Sequence, residues 1–367
     1  MGFACGIVGL PNVGKSTTFN ALGGHAEAAN YPFCTKEPNV GIIPVPDPRL
    51  DALASVVKPD KIVPATIRFV DIAGLVRGAS KGEGMGNQFL AHIREVDAIA
   101  HVVRCFEDGN IIHVDNRVDP VGDVATIDTE LCLRDLDTVQ KRLDRARKMV
   151  KANSPVEKAA VPLCEALAAH LDAGKPARTF VLPDDPHAAP IVAEMFLLTR
   201  KPVFYVANVT EAALSNLADD KHFQALAAHA KSEGAQIVPI CAALEEQIAE
   251  LDPADRGEFL ASVGLKEPGL HAVIRAGYEL LGLSTYFTAG KVEVRAWTIP
   301  KGALAPQAAG VIHTDFERGF IKAEVIWWED LVSLGSEARC RELGKMATEG
   351  KEYVVRDGDV MHFRFNV

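Results

Sequence analysis

An unbroken G-x-x-x-x-G-K-S motif near the start of the chain constrains its fold more than any other feature. Residues Gly9–Ser16 read Gly-Leu-Pro-Asn-Val-Gly-Lys-Ser. The apolar run Ala4–Val8 precedes the motif and suits a buried strand, and Thr17–Leu22 can continue as a helix. Strand, glycine loop and helix form the context in which this motif cradles phosphates. The sequence therefore predicts an α/β domain with a nucleoside triphosphate site at its first strand–helix turn.

The residue types of the motif predict its contacts. Backbone N–H groups at a helix N-terminus point at anionic oxygens. The lysine reaches the β- and γ-phosphates, and the serine hydroxyl binds Mg²⁺. We expect phosphate contacts from Asn12, Val13, Gly14, Lys15, Ser16 and Thr17.

Composition limits the remaining possibilities. A chain of 367 residues suggests two or three domains. Its net charge of −10 argues against a protein that coats nucleic acid non-specifically, although a local basic patch is compatible with it. The seven cysteines are scattered without a C-x-x-C pair, and no apolar run is long enough for a membrane helix. We therefore expect a cytoplasmic protein without a membrane partner.

Apolar runs alternate with helical patterns, which predicts a mostly parallel sheet covered by helices on both faces. The predicted strands are Ala4–Val8, Val40–Val45, Thr66–Ile72, Ala98–Arg104, Val203–Ala207 and Gln236–Ile240. After Leu283 the pattern changes to short strands separated by glycines. These are Val292–Ile299, Phe320–Ile326, Tyr353–Val355 and Val360–Val367.

The long gap between Arg104 and Val203 predicts an inserted helical hairpin. Apolar residues spaced by four and three form a seam, namely Cys132, Leu136, Val139, Leu143, Ala146 and Val150. Ser154 and Pro155 suit the start of a return helix. Between Arg134 and Lys151 the basic residues outnumber the acidic ones by seven to three. That excess fits either a solvated helix face or a surface for RNA phosphates.

A second motif, D-x-x-G, ends the predicted strand Thr66–Ile72. Asp71 suits Mg²⁺ binding, and the Gly74 N–H suits the γ-phosphate. Thr35 lies between the two motifs, where a hydroxyl can complete the metal shell only while triphosphate is bound. Together the motifs predict a switch-type nucleoside triphosphatase.

The residues that would read the base depart from the guanine-binding pattern Asn-Lys-x-Asp. Here the sequence is Asn208-Val209-Thr210-Glu211, so the lysine is absent and the carboxylate is one methylene longer. A displaced Glu211 would not repel the N1 acceptor of adenine, and Asn208 could bond the adenine 6-amino group and N7. This favours ATP over GTP. A GTPase with an unusual base site is the competing interpretation.

The residue that orients the attacking water also differs. Ras-type enzymes place a glutamine directly after D-x-x-G, whereas this chain has Leu75. Two candidates could supply the missing function. One is His113 in the polar loop after the fourth strand, and the other is a monovalent cation, K⁺, near Asn12.

These motifs together resemble those of the YchF-type Obg-like ATPases over the whole chain. The resemblance implies a Ras-like P-loop NTPase domain at 1–126 and 187–282, a coiled-coil arm at 127–186 and a β-grasp TGS domain at 283–367. It implies Mg²⁺ binding by Ser16, Thr35 and Asp71. It also implies adenine contacts from Asn208 and Val209 and a catalytic role for His113.

The same resemblance implies a function. The family hydrolyses ATP in preference to GTP and associates with ribosomes through the arm and the TGS domain. We therefore expect a translation-linked or stress-response switch. The alternative is a nucleotide-gated ribosome- or RNA-binding module in which hydrolysis is incidental.

Overall fold

The computed structural model describes residues 3–23, 39–72, 85–113, 117–150 and 154–366. It divides into two compact units, of which the first comprises residues 1–42 and 68–277 and the second comprises residues 43–67 and 278–367. The sequence assigned 43–67 to the first domain, whereas the structure groups this segment with the C-terminal residues. The finer domain boundaries given above stay a prediction. No helix in the described ranges is long and apolar enough to cross a membrane.

The elements follow one another in this order along the chain. The strands are β1 (Ala4–Val8), β2 (Val40–Pro44), β3 (Lys61–Val63), β4 (Thr66–Asp71), β5 (Ala98–Arg104), β6 (Val203–Asn208), β7 (Ile237–Ile240), β8 (Leu283–Ala289), β9 (Glu293–Pro300), β10 (Phe320–Trp327), β11 (Met346–Glu349) and β12 (Asp359–Phe365). The helices are α1 (Lys15–Ala21), α2 (Pro48–Val57), α3 (Met85–Glu95), α4 (Pro120–Met149), α5 (Pro155–Asp172), α6 (Ala188–Ala193), α7 (Glu211–Leu214), α8 (Lys221–Glu233), α9 (Ala242–Glu250), α10 (Arg256–Ser262), α11 (Gly269–Leu280), α12 (Ala305–Ile312), α13 (Thr314–Arg318), α14 (Trp328–Leu334) and α15 (Glu337–Glu342).

The first sheet has the strand order β2-β4-β1-β5-β6-β7. The pairs β1–β4, β1–β5, β5–β6 and β6–β7 are parallel, as the alternation of strands and helices predicted. Their buried, β-branched residues explain why the runs read as nearly continuous apolar sequence. The carboxyl ends of these strands meet at one edge, which is where open α/β sheets bind ligands.

The inserted hairpin consists of α4 and α5, and α4 begins at Pro120. Asp119 fixes this start because its side chain accepts a hydrogen bond from Gly122 N. The predicted seam residues Cys132, Val139, Leu143 and Ala146 are buried against α5, as expected. Ser154 caps α5, and Pro155 is its first residue.

A buried ionic network lies at the base of the hairpin. The Arg178 guanidinium lies 2.6 Å from an oxygen of Asp128 on α4 and 3.2 Å from an oxygen of Glu233 on α8. Tyr205 on β6 donates a hydrogen bond of 2.9 Å to Glu233. The network ties the arm to the parallel sheet.

The second unit is built on a mixed sheet with the order β11-β10-β12-β8-β9-β3. Strands β12 and β8 are parallel, and α12 packs on the sheet through Ala305, Ala308 and Ala309. The Tyr286 hydroxyl donates to Ala308 O at 2.9 Å. Residues 353–355, predicted as a strand, form only an isolated bridge from Val354 to Leu304. A mixed sheet covered by a helix is the β-grasp arrangement expected for this part of the chain.

Candidate nucleotide-binding site

The glycine loop between β1 and α1 has the backbone conformation of a phosphate cradle. Gly14 has a φ of 99° and Asn12 has a φ of 62°, both in the left-handed region. A Cβ on Gly14 would also lie 2.3 Å from Asn208 Nδ2, so a larger residue cannot fit without displacing the asparagine. Lys15 folds back over the loop and donates to Leu10 O at 2.6 Å.

The electrostatics of Lys15 suit an anion. Its side chain is buried, and burial lowers the pKa of its ammonium to about 8, with Asp71 acting in the opposite direction. A desolvated cation that bonds only weak neutral acceptors gains most from an incoming phosphate. The loop therefore places positive charge where the motif requires it.

Ser16 and Asp71 lie together at the edge of the sheet. The Ser16 hydroxyl donates to Asp71 Oδ2 at 3.5 Å. Asp71 Oδ1 is buried and has no hydrogen-bond partner among the described residues. Burial raises the pKa of the Asp71 carboxyl, and Lys15 opposes this shift. An orphaned carboxylate oxygen beside a hydroxyl fits a hard cation such as Mg²⁺, which prefers oxygen ligands.

No group of three or more His, Cys, Asp or Glu side chains that could hold a metal occurs in the described ranges. Of the predicted site residues, Thr35, Gly74 and Leu75 lie outside the described residues.

A cavity of about 540 Å³ opens beside the glycine loop. Sequence-predicted residues that line it are Asn12, Gly14, Thr17, Asn208, Val209 and Glu211. The cavity has the size of a small-molecule site. Residues from opposite ends of the first unit thus converge on one space next to the phosphate cradle.

The sequence did not anticipate the other walls of this cavity. Phe106, Asp108 and Ile111 come from the loop after β5, and Cys241 comes from the turn after β7, which leads to Ala242 at the start of α9. The loop and the turn both follow strands of the parallel sheet, so the rule that ligands bind at the carboxyl ends of strands could have identified them.

Asn208 joins the two parts of the site. Its Nδ2 donates to Val13 O at 2.9 Å, and its Oδ1 accepts from Ala242 N at 3.0 Å. The side chain is buried, so these bonds fix the glycine loop to the start of α9. An amide has two donor hydrogens and two acceptor lone pairs, and the bonds to Val13 and Ala242 use one of each, so within the described part of the chain one of each is left to offer to a ligand.

Glu211 begins the short helix α7 and is exposed. Thr210 caps this helix by accepting from Ala213 N at 3.2 Å. A carboxylate in the first turn is favoured by the helix dipole. Glu211 also lines the cavity, and the position of its carboxylate relative to a bound base stays a prediction.

The loop after β5 is organised by Arg104, whose side chain is fully buried. Its guanidinium donates to the carbonyls of Phe106, Asp108 and Ile111 at 3.0, 3.2 and 3.0 Å. Asn12 Nδ2 donates to Ile112 O at 3.1 Å, which joins this loop to the glycine loop. A solvated arginine would be expected from sequence, so this role could not be anticipated.

His113 lies in the same connection between β5 and α4, and its side chain is buried. Its Nε2 is 2.9 Å from Asp123 Oδ2 in the first turn of α4, and the two side chains are 4% and 3% exposed. His113, the catalytic candidate, therefore directly follows Ile112, whose carbonyl Asn12 binds, but its ring is held by Asp123 on the arm helix α4.

Comparison with known proteins agrees with this arrangement. Residues 4–134 match a family model described as 50S ribosome-binding GTPase, and residues 283–366 match the YchF GTPase C-terminal model, described as a protein of unknown function, DUF933. The solved structure of the Schizosaccharomyces pombe YchF GTPase is similar, with a TM-score of 0.87 and 40% identity, covering 99% of this chain and 97% of that one.

Curated relatives match over the complete length of both chains. The protein named ribosome-binding ATPase YchF from Haemophilus influenzae is 55% identical over 368 residues, with 100% of each chain covered. The protein of the same name from Bacillus subtilis is 50% identical over 368 residues, again with 100% of each covered. Identity at this level over the whole length shows that the chain belongs to the YchF family.

Proposed function

We propose that this protein is an Mg²⁺-dependent ATPase that prefers ATP to GTP, associates with the ribosome and acts as a translation-linked switch. One observation carries the proposal. The buried Asn208 amide binds the glycine loop and also lines the adjoining cavity. The same side chain therefore links the proposed phosphate site to the proposed base pocket. The ATPase activity and the ribosome as partner are proposed because the similar proteins are named ribosome-binding ATPases.

The preference for ATP rests on the unused capacity of Asn208. One N–H and one lone pair remain after its two backbone hydrogen bonds. Adenine presents an acceptor at N7 next to a donor at its 6-amino group, whereas guanine presents two acceptors there. Val209 lines the same wall, and Glu211 carries the longer carboxylate that replaces the guanine-reading aspartate.

The phosphate and metal residues have distinct roles in this proposal. Residues 12–17 supply the backbone donors, and Lys15 neutralises the outer phosphates. Ser16 and Asp71 hold Mg²⁺, together with Thr35, and the Gly74 N–H meets the γ-phosphate. The metal, when bound, neutralises charge on the β- and γ-phosphate oxygens.

His113 is proposed to orient or deprotonate the attacking water, since Leu75 has no polar group to do so. In the described conformation the ring bonds Asp123, so turnover requires its release. Asn12 could instead recruit K⁺, and comparing turnover in K⁺ and Na⁺ buffers tests this. A cytoplasmic location is part of the same proposal, because the proposed partner is the ribosome.

Paired titrations of ATP and GTP by calorimetry, with Mg²⁺ present, test the base preference. We expect ATP to bind more tightly, and equal affinities would refute the argument from Asn208. A variant carrying Val209→Lys and Glu211→Asp restores the guanine pattern and should bind GTP better.

Phosphate release with and without ribosomal subunits tests the switch. We expect stimulation by a subunit, and His113→Ala should abolish it while leaving ATP affinity nearly unchanged. If neither subunit changes the rate but ATP still controls ribosome binding, the protein is a nucleotide-gated binding module. The burial of His113 against Asp123 is the observation that favours that second function.

A further inference from the structure

Part of the lining of the nucleotide cavity comes from a segment with little apolar burial of its own. Residues 106–111, which we call the wall segment, contribute Phe106, Glu107, Asp108 and Ile111 to that lining. Phe106 is half-buried and the rest of the segment is exposed. A segment with few buried apolar contacts opens easily, so the shape of this wall depends on specific polar contacts.

Arg104, at the end of β5, supplies the buried contacts to the wall segment. Its side chain is 1% exposed, and its Nε, Nη1 and Nη2 each donate to a carbonyl of the segment. These carbonyls belong to Phe106, Asp108 and Ile111, so they include both ends of the segment. The guanidinium also lies over the Phe106 ring, 4.7 Å from its centroid. One planar, pre-organised group therefore fixes the wall segment along its length.

The other described contacts that tie the wall segment to its surroundings are weaker. The Glu107 carboxylate lies 3.0 Å from Lys221 Nζ and 3.0 Å from His222 Nε2 at the start of α8. The Glu107 and Lys221 side chains are 66% and 76% exposed, so water screens this pair. Asn12 binds Ile112 O, just beyond the segment, through one exposed neutral hydrogen bond. The guanidinium bonds dominate, because hydrogen bonds to a charged donor are the stronger kind.

Arg104 also lies beside the residue that fixes the glycine loop. It pairs with Asn208 in the register of β5 and β6, and both side chains are buried. Asn208 binds Val13 O of the glycine loop, whereas Arg104 binds the segment that follows its own strand. Two paired strand ends thus each provide a buried polar side chain, and each side chain holds a different part of the cavity lining.

We propose that Arg104 is a positioning residue of the nucleotide site, which holds the wall segment in the shape that receives the nucleoside. Arg104 does not itself line the cavity, so it acts through the carbonyls that it binds. Other residues form the phosphate cradle, so Arg104 matters for the nucleoside and not for the triphosphate. The inference rests on the proposed ATP binding and names the residue that gives the cavity its fit to the nucleoside.

Calorimetry with Mg²⁺-ATP and with Mg²⁺-tripolyphosphate on the full chain separates the two parts of the site. Tripolyphosphate lacks the nucleoside, so the difference between the two affinities measures what the nucleoside adds. In Arg104→Lys a single ammonium replaces a planar group that reaches three carbonyls. ATP affinity should fall by about 10- to 150-fold, the range for loss of one hydrogen bond to a charged group. Tripolyphosphate affinity should stay nearly unchanged.

Arg178→Lys is the matched control. The Arg178 side chain is only 13% exposed, but it binds Asp128 and Glu233 and does not line the cavity. This variant should unfold at a lower urea concentration than the wild type while keeping the wild-type affinities for ATP and tripolyphosphate. A purely structural role of Arg104 would give the same result as this control.

Arg104→Gln keeps the test decisive if Arg104→Lys does not fold, because glutamine places no charge in the buried site. Its amide has two donor hydrogens for three carbonyls. The same separation between ATP and tripolyphosphate is expected. The ratio of ATP affinity to GTP affinity should also fall toward one, because a loosened wall no longer fits one base better than the other.

Three results would overturn the proposal. The first is wild-type ATP affinity in a folded Arg104 variant. The second is an equal loss of affinity for ATP and tripolyphosphate, which would show that Arg104 supports the whole site. The third is failure of both variants to fold, which would assign Arg104 to the stability of the sheet. Failure of the proposed function would instead be seen in the wild type, as absence of ATP binding or as equal affinities for ATP and GTP.

Discussion

The contact between His113 and Asp123 predicts that the arm helix restrains hydrolysis. The two side chains are buried and meet at 2.9 Å. A hydrogen bond to a charged group contributes about 1.5–3 kcal/mol, and a neutral one about 0.5–1.5 kcal/mol. Asp123→Asn keeps the shape and weakens the contact by about 1–1.5 kcal/mol. The fraction of molecules with His113 released should rise by about 5- to 12-fold.

Basal phosphate release from Mg²⁺-ATP, measured without ribosomes, should therefore rise by up to the same factor, about 5- to 12-fold. The rate of phosphate release at a saturating concentration of ribosomal subunit should stay near the wild-type value, because His113 is then released from residue 123 in both proteins. The control is Asp123→Asn in a His113→Ala background, where the substitution should have no effect. A basal rate that is unchanged or lower in Asp123→Asn would refute the restraint and indicate that Asp123 orients His113 for catalysis.

Three further outcomes are expected. Gly14→Ala should greatly weaken ATP binding in calorimetry, because its Cβ would lie 2.3 Å from Asn208 Nδ2 at a left-handed φ; unchanged affinity would contradict the role of Asn208. The free energy of unfolding of the nucleotide-free protein should rise between pH 8 and 10.5, by up to about 1.4 kcal/mol per pH unit. In this range Lys15, with a pKa of about 8, has lost its proton in the folded protein, whereas in the unfolded chain it still holds that proton. Urea unfolding of Lys15→Met should lack this slope. Arg178→Met should lower the free energy of unfolding by about 3–5 kcal/mol, because Asp128 is left buried and unpaired; a loss below 1 kcal/mol would show that water reaches the network.

Sequence periodicity predicted those elements whose burial is periodic. The strands of the parallel sheet and the seam of the hairpin are within a few residues of their expected bounds because apolar runs record burial directly. The short strand β3 was missed because it is mostly exposed, and its pairing with β9 joins residues far apart in sequence. No local pattern encodes such a pairing.

In the candidate site, too, some features could be predicted from the sequence and others could not. The positions of Lys15 at the start of α1 and of Asp71 at the end of β4 were predictable, because each residue belongs to a motif with a fixed spacing. Two other features could not be predicted from the sequence: the bonds of Arg104 to three loop carbonyls and the burial of His113. Both depend on tertiary packing around polar groups that normally face water. Which residues act stays a prediction from the sequence, and the structure adds the groups that hold those residues in place.

A series of hydrogen bonds connects the glycine loop to the arm helix α4. Asn12 bonds the carbonyl of Ile112, the next residue is His113, and its ring bonds Asp123 on α4. A ligand that moves Asn12 therefore displaces the segment adjoining the histidine, and a partner that moves α4 alters the carboxylate that holds it. Coupling between two sites is reciprocal, so a ribosome that frees His113 must change the affinity for nucleotide by the same factor by which nucleotide changes affinity for the ribosome. We therefore expect ATP affinity to differ with and without the ribosomal subunit, and an unchanged affinity would limit the ribosome's effect to the chemical step.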